Sequence, residues 1–313
     1  MTITRPAMAE VTAPRRESAL LRRMAHWGAL SGPRAFVRYS PGLIGAAFMA
    51  VPDVRRQVIG NLRRIYGVRS AWREQLDAAE TLASYASCFA EAIASARSDV
   101  KLNIHLIHPE RMHESLRAGG VVTITAHVGP WELTGQMLRP DLDVEAVVVM
   151  GREANEESRQ LQDRLRNERG MRVLHIGDHA TDALPLIAHL KEGGLAAMQL
   201  DRVPPSGRVL DVSLFGQPFR VPEGPFRLAS LSGAAVVPVF ARRLGFFDYE
   251  LEVSEPIRLG RRPKPEEFLR AAQTATDAMQ AFVRCTPTQW FHFPREERGR
   301  APAHPGPAAR DTL

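Results

Sequence analysis

His127 and Glu132 stand at the end of a short β-branched run, in the segment VVTITAHVGPWEL (121–133). An imidazole whose ring N–H is held by a carboxylate offers its other nitrogen as a general base, and the carboxylate stabilises the imidazolium that forms. Such a pair takes a proton from a hydroxyl or a water. On a continuous helix, residues five apart lie about 140° around the axis and cannot meet. The turn at Gly129 and Pro130 therefore has to bring the two together: glycine permits a tight turn, and proline suits the first turn of a helix. A second apolar run, LAAMQL (195–200), also ends on a polar residue of catalytic type, Asp201.

Other constellations carry less. His175 and His179 flank Asp178 at metal-like spacing, but Gly177 makes the segment a turn, and no metal is expected. His105, His108 and His113 lie in a polar stretch and read as surface residues. Neither Cys88 nor Cys285 has a motif partner, which argues against a thiol nucleophile. There is no G-x-S-x-G elbow, no G-x-G-x-x-G and no Walker A loop, which argues against a serine hydrolase, a Rossmann dehydrogenase and a P-loop ATPase.

The elements that must position His127 follow from hydrophobic rhythm. Apolar runs at 121–126, 144–150, 172–176, 195–200 and 235–240 alternate with helical patterns at 131–138, 155–169, 181–191 and 223–231. That alternation predicts α/β architecture, a single domain with a mainly parallel sheet covered by helices on both faces. Sites in such sheets form beyond the carboxyl ends of the strands. Residues 248–253 alternate and read as an edge or antiparallel strand, and 265–284 as a last amphipathic helix. Residues 17–100 read as an N-terminal helical cap. Its apolar stripes run through Leu20, Met24, Trp27 and Leu30, through Val54, Val58, Leu62 and Ile65, and through Leu76, Ala79, Leu82, Ala86, Phe89 and Ile93. Core-facing helices are the plain reading. The sharper one lays the first two, with Arg22, Arg23, Arg55, Arg56, Arg63 and Arg64, on an anionic membrane.

Residues 1–16 and 296–313 read as disordered tails, leaving 17–295 as the folded unit, with the cap at 17–100 and the α/β core at 101–295. The 313 residues are 44% hydrophobic and carry a net charge of +6, with 41 basic residues of which only Lys101, Lys191 and Lys264 are lysines. Arginine forks suit phosphate and carboxylate partners. The most apolar stretch, 42–51, is half the roughly 20 residues a membrane span needs, and 1–16 lack the apolar core of a secretory signal. No nucleic-acid recognition motif is present, and the arginines are not interleaved with stacking aromatics.

HVGPWELTG (127–135) resembles the H-x4-D/E block of glycerolipid acyltransferases, with Pro130 where asparagine is usual. The likeness is greatest to the lipid A lauroyl/myristoyl acyltransferases and the phosphatidylinositol-mannoside acyltransferases. VRRQVIGNLRRIYG (54–67), GREAN (151–155), LRNERGMRVL (165–174), QLDR (199–202), SLFGQPFRVPEGPFRLASLSGAAVVPVF (213–240) and TPTQWFHF (286–293) are similar to further blocks of that family, in order and over about 15–295. The resemblance implies His127 as general base and Glu132 as its partner. It implies substrate-binding roles for Arg152, Asp201 and Arg202, and for Glu223 and Gly224 in a loop that opens a helix and can receive an anion.

It further implies an O-acyltransferase that carries a fatty acyl chain from acyl-carrier protein or acyl-CoA to a hydroxyl of a membrane glycolipid or lysolipid. Such an enzyme uses no cofactor beyond its donor substrate. It is expected to sit peripherally on the cytoplasmic face of the bacterial inner membrane, with no nucleic-acid partner. Two alternatives remain open on the residues: an acyl thioesterase using the same dyad on water, and a non-catalytic peripheral lipid-binding protein.

Overall fold

The computed structural model describes residues 26–138, 142, 144–151, 172–176, 180–203 and 207–293. The two tails and the 155–169 helix expected from sequence lie outside them.

After a helical stretch at 26–31 come α1 (Arg34–Ala47), α2 (Pro52–Tyr66) and α3 (Ala71–Ala94). Then follow β1 (Asn103–Ile107), α4 (Pro109–Ala118), β2 (Val121–Thr125), a 3₁₀ turn (Trp131–Leu133), α5 (Thr134–Leu138), β3 (Ala146–Gly151) and β4 (Arg172–Ile176). After these come α6 (Leu184–Lys191), β5 (Leu195–Gln199), β6 (Val209–Leu214), β7 (Gln217–Pro222), α7 (Gly224–Ser232), β8 (Ala235–Gly245), β9 (Asp248–Val253) and α8 (Pro265–Cys285).

Among the described residues seven strands form one sheet in the order β1-β9-β8-β2-β5-β3-β4. β8, β2, β5, β3 and β4 are mutually parallel, whereas β9 turns back antiparallel on β8. β9 is antiparallel as its alternation predicts, but it is not an edge, because β1 pairs with it on the outside. β1 was not visible as a strand in sequence: NIHLI is a half-exposed edge whose His105 bonds Asp248 at 2.9 Å.

β2 sits at the centre, and its alternate residues feed two separate cores. Val122 and Ile124 pack with Leu186, Leu190, Phe226, Met279 and Phe282. Val121 packs on the other side with Met112, Val237, Tyr249 and Leu251. Burial on both faces explains the unbroken apolar run. β6 and β7 make a separate hairpin, closed by Phe215 and Gly216, both at positive φ, as a two-residue turn requires. Gln273 and Gln280 of α8 hold that hairpin through hydrogen bonds to Ser213 and Phe215.

The cap meets the core-facing expectation in part: Val58 and Leu62 of α2 and Leu82 and Ile93 of α3 are buried, whereas Leu76 and Phe89 are exposed. α3 turns its acids inward, where Glu74 pairs with Arg63 at 2.7 Å and Asp77 with Arg69 at 2.8 Å. Glu91, 1% exposed, pairs with Arg243 of β8 at 2.7 Å and accepts hydrogen bonds from Tyr249 Oη and Phe247 N. Its Trp72, Leu76, Tyr85 and Phe89 face outward. α1 behaves likewise: Gly45 lets its backbone press against Leu82 and Ala83 of α3, while Phe36, Tyr39, Leu43 and Ile44 are exposed. Thirteen of the seventeen exposed large hydrophobic side chains among the described residues lie between Trp27 and Phe89, so the outward apolar surface belongs to the cap.

Candidate active site

β2 and β5 are parallel neighbours in a register that sets Thr125 beside Gln199. Two residues beyond each strand come His127 and Asp201, so the sheet itself delivers them side by side, one strand spacing apart. Asp201 Oδ1 lies 2.7 Å from His127 Nδ1, and Oδ2 accepts the His127 backbone N–H at 3.0 Å. Trp290 Nε1 donates to the same Oδ2 at 3.2 Å. The Asp201 side chain is wholly buried and that of His127 is 5% exposed.

Burial by itself opposes ionisation of Asp201. The His127 charge and hydrogen bond, with a smaller contribution from His292, outweigh it and hold the carboxyl well below the usual carboxylate range. An ionised carboxylate can only accept, so Nδ1 carries the hydrogen and Nε2 is left with its lone pair. His127 Nε2 has no hydrogen-bond partner among the described residues, which is the state a general base requires.

The turn after β2 explains why Glu132 is not in this arrangement. Gly129 has φ +52°, its N–H bonds Gln289 O at 2.8 Å, and a Cβ there would stand 2.4 Å from Ala241 O. The backbone then tightens into the 3₁₀ turn that carries Trp131 onto the imidazole, with ring centroids 5.3 Å apart. Among the described residues no hydrogen bond or ion pair joins His127 to Glu132. Glu132 is half-buried and lines a small cleft with Cys88, Phe89, Ala92, Gly129, Pro130 and Trp131. The partner on Nδ1 expected from sequence is therefore corrected: it is Asp201, not Glu132.

The remaining sequence-derived residues fall as follows. Arg202 is exposed and makes no ion pair among the described residues, so it does not neutralise Asp201. α7 leads back to the start of β8, and a Cβ on Gly224 would lie 3.7 Å from Met198 Cε near the end of β5. The amino end of α7 thus sits at the strand-tip edge that carries His127. Glu223, 8% exposed, stands at the N-cap position of that helix without a side-chain capping hydrogen bond and pairs with Arg227 at 2.8 Å. Arg152 follows the last residue of β3 and lies outside the described residues, as do Asp178 and His179.

Cys88 is buried, and burial pushes its thiol up, away from the reactive thiolate. Sequence reasoning gave no role to Trp290 or His292. Trp290 is fully buried against Asp201, and His292 stacks on it with centroids 5.2 Å apart and Nδ1 3.9 Å from Asp201 Oδ2. Their only signal was their place in the closing QWFHF segment.

The family described as bacterial lipid A biosynthesis acyltransferase matches residues 9–296. No curated protein matches the chain. Among solved structures, the 1-acyl-sn-glycerophosphate (LPA) acyltransferase PlsC from Thermotoga maritima is similar at 12% identity and a TM-score of 0.37, over 77% of this chain and 97% of that one.

Proposed function

The chain belongs to the bacterial lipid A biosynthesis acyltransferase family and is an O-acyltransferase of lipid biosynthesis; we propose that it moves a fatty acyl chain from an acyl thioester to a hydroxyl of a membrane glycolipid or lysolipid. The observation that carries this reading is the His127–Asp201 pair, with Nδ1 held and Nε2 free. His127 Nε2 takes the proton from the acceptor hydroxyl as its oxygen attacks the thioester carbonyl. Asp201 stabilises the imidazolium. Collapse of the tetrahedral intermediate breaks the C–S bond, and the proton passes to the leaving thiolate. No covalent acyl-enzyme is needed, and the buried Cys88 does not supply one.

The donor in this reading is acyl-carrier protein or acyl-CoA, both acidic and suited to a chain of net charge +6. Arg152, Arg202 and the amino end of α7 at Glu223–Gly224 are the candidates for holding its phosphates or those of the acceptor. Glu132 borders the approach beside Trp131 and is assigned to substrate rather than to orienting the base. Radiolabelled acyl thioester incubated with and without a total lipid extract tests the reading. Label should enter lipid only when acceptor is present, at a rate well above release of free acid. Release of free acid at the same rate with or without lipid would make the protein a thioesterase.

Peripheral attachment at the cytoplasmic face of the inner membrane belongs to the same proposal. Among the described residues no helix is long and apolar enough to cross a membrane. The support is the outward apolar surface of α1 and α3, more than the arginines of α2. Arg55 donates to Met49 O, Arg56 pairs with Asp53 and Arg63 with Glu74, so three of the four are already engaged. Burying one large apolar side chain contributes about 1.5–3 kcal/mol. Leu43→Asp and Trp72→Asp are each expected to lower partitioning onto anionic vesicles about tenfold or more, with salt weakening the remainder. Unchanged co-sedimentation of both variants would remove this surface from the membrane.

A further inference from the structure

The segment after α8 returns to the site as a strap across the turn that carries His127. Gln289 O accepts the Gly129 N–H at 2.8 Å, Phe291 N donates to His127 O at 2.7 Å, and Trp290 bridges Val128. Gln289 is in turn clamped by Arg243: its Oε1 accepts the Arg243 N–H at 2.8 Å and its Nε2 donates to Arg243 O at 2.9 Å. Every residue from 127 to 129 is therefore tied to this strap. Within it, one side chain reaches the reacting pair's carboxylate.

We propose that Trp290 is a positioning residue for acyl transfer, its indole N–H holding the Asp201 carboxylate in line with His127 Nδ1 and setting how strongly that carboxylate draws the imidazole proton. The proposal rests on the reading of His127 as the base. Three features carry it. Trp290 is 0% exposed, so its N–H must find an acceptor inside the protein, and Asp201 Oδ2 is that acceptor at 3.2 Å. With the His127 backbone N–H on the same oxygen, two donors fix Oδ2 and leave Oδ1 for the ring. The indole is itself wedged, with Phe215, Phe219 and His292 around it at centroid distances of 5.9, 6.4 and 5.2 Å.

The other groups that bear on the pair are His292, Arg202, Arg64 and Glu132. His292 is held below the usual imidazole range by burial and then by the positive charges of His127, Arg202 and Arg64, against the pull of Asp201. Its Nδ1, 3.9 Å from Asp201 Oδ2, is too far to replace the indole donor. Arg64 lies over the Phe219 ring, Arg202 is exposed next to Asp201 in the chain, and Glu132 lines the cleft with Trp131.

Trp290→Phe removes the donor and retains an aromatic ring. A carboxylate short of one hydrogen bond concentrates its charge on the remaining partner, so the imidazolium is favoured. The acid limb of kcat/KM should move to higher pH by about one unit, with the high-pH plateau kept within about threefold. The NMR titration midpoint of His127 should move by the same amount without any substrate present. Benzothienylalanine placed at 290, which has sulfur where indole has N–H and the same outline, should reproduce both shifts if the smaller ring of phenylalanine disturbs folding. A folded variant whose His127 titration is unmoved overturns the proposal, as does a loss of activity equal at all pH values. An active His127→Ala protein would instead overturn the base, and the NMR shift would still decide the role of Trp290.

Discussion

His127→Ala is expected to lose about 10²–10⁴-fold in kcat, measured as acyl transfer under saturating thioester and acceptor. The residue contributes the single imidazole nitrogen that is both at the strand tip and without a hydrogen-bond partner among the described residues. Deleting the ring also strips one donor from a buried carboxylate, so folding has to be controlled. His127→Asn serves for this, because its amide N–H can stand where Nδ1–H stood and still satisfy Asp201, while nothing remains at Nε2. Both variants should be equally inactive, and the asparagine variant should melt closer to the parent. In the parent protein kcat/KM should rise with pH as the imidazolium loses its proton. A folded His127→Asn protein with near-parental turnover sinks the mechanism.

The second large effect is expected from Asp201→Asn, again about 10²–10⁴-fold in kcat, through the wrong tautomer. The amide oxygen of asparagine is the only acceptor it has. Two fixed donors, the His127 backbone N–H and the Trp290 indole N–H, converge on the position of Oδ2 and claim that oxygen. The amide NH₂ then faces the ring, so Nδ1 must become the acceptor and Nε2 must carry the hydrogen. A base with its proton already in place cannot take another. Glu132→Gln, by contrast, leaves the tautomer intact and should cost tenfold or less. Losses of equal size in the two variants would put Glu132 back in direct contact with the reaction.

Asp201 also leaves a mark on stability. Its carboxyl titrates below the unfolded value, so its contribution is fully present above the unfolded pKa of about 3.9 and is lost as pH falls through the depressed folded value. The stability gap between the parent protein and Asp201→Asn should therefore narrow as pH falls through the acid range. Urea unfolding at a series of pH values measures it.

Much of the scaffold is readable in the chain because it is written in local periodicity. The runs that became β2, β5 and β8 are apolar without alternation, which only strands buried on both faces require. His127 could be placed at a strand tip because the run before it stops there. Elements whose signals depend on context were harder. β1 is an exposed edge with little apolar character, and the β6–β7 hairpin turns on Phe215–Gly216 rather than the asparagine–glycine pair that usually marks such turns. α3 misleads in a different way. Its hydrophobic stripe is buried only at Leu82 and Ile93, while the acids Glu74, Asp77 and Glu91 are buried too, because Arg63, Arg69 and Arg243 arrive there from other elements.

The sequence by itself determined the kind of sheet, the base at its edge and the family blocks around it. Tertiary structure alone decided which carboxylate serves that base. Glu132 is five residues away in the chain, yet the turn built on Gly129 points the chain onward and lays Trp131, not Glu132, on the imidazole. Asp201 is 74 residues away, yet β5 lies next to β2 in register, and the two tips meet. The donor that steadies it, Trp290, comes from a further 89 residues along. Strand order and register arise from packing across the whole core, whereas periodicity reports only which face of a strand or helix is apolar; a pairing that depends on the neighbour chosen is not encoded in either strand alone.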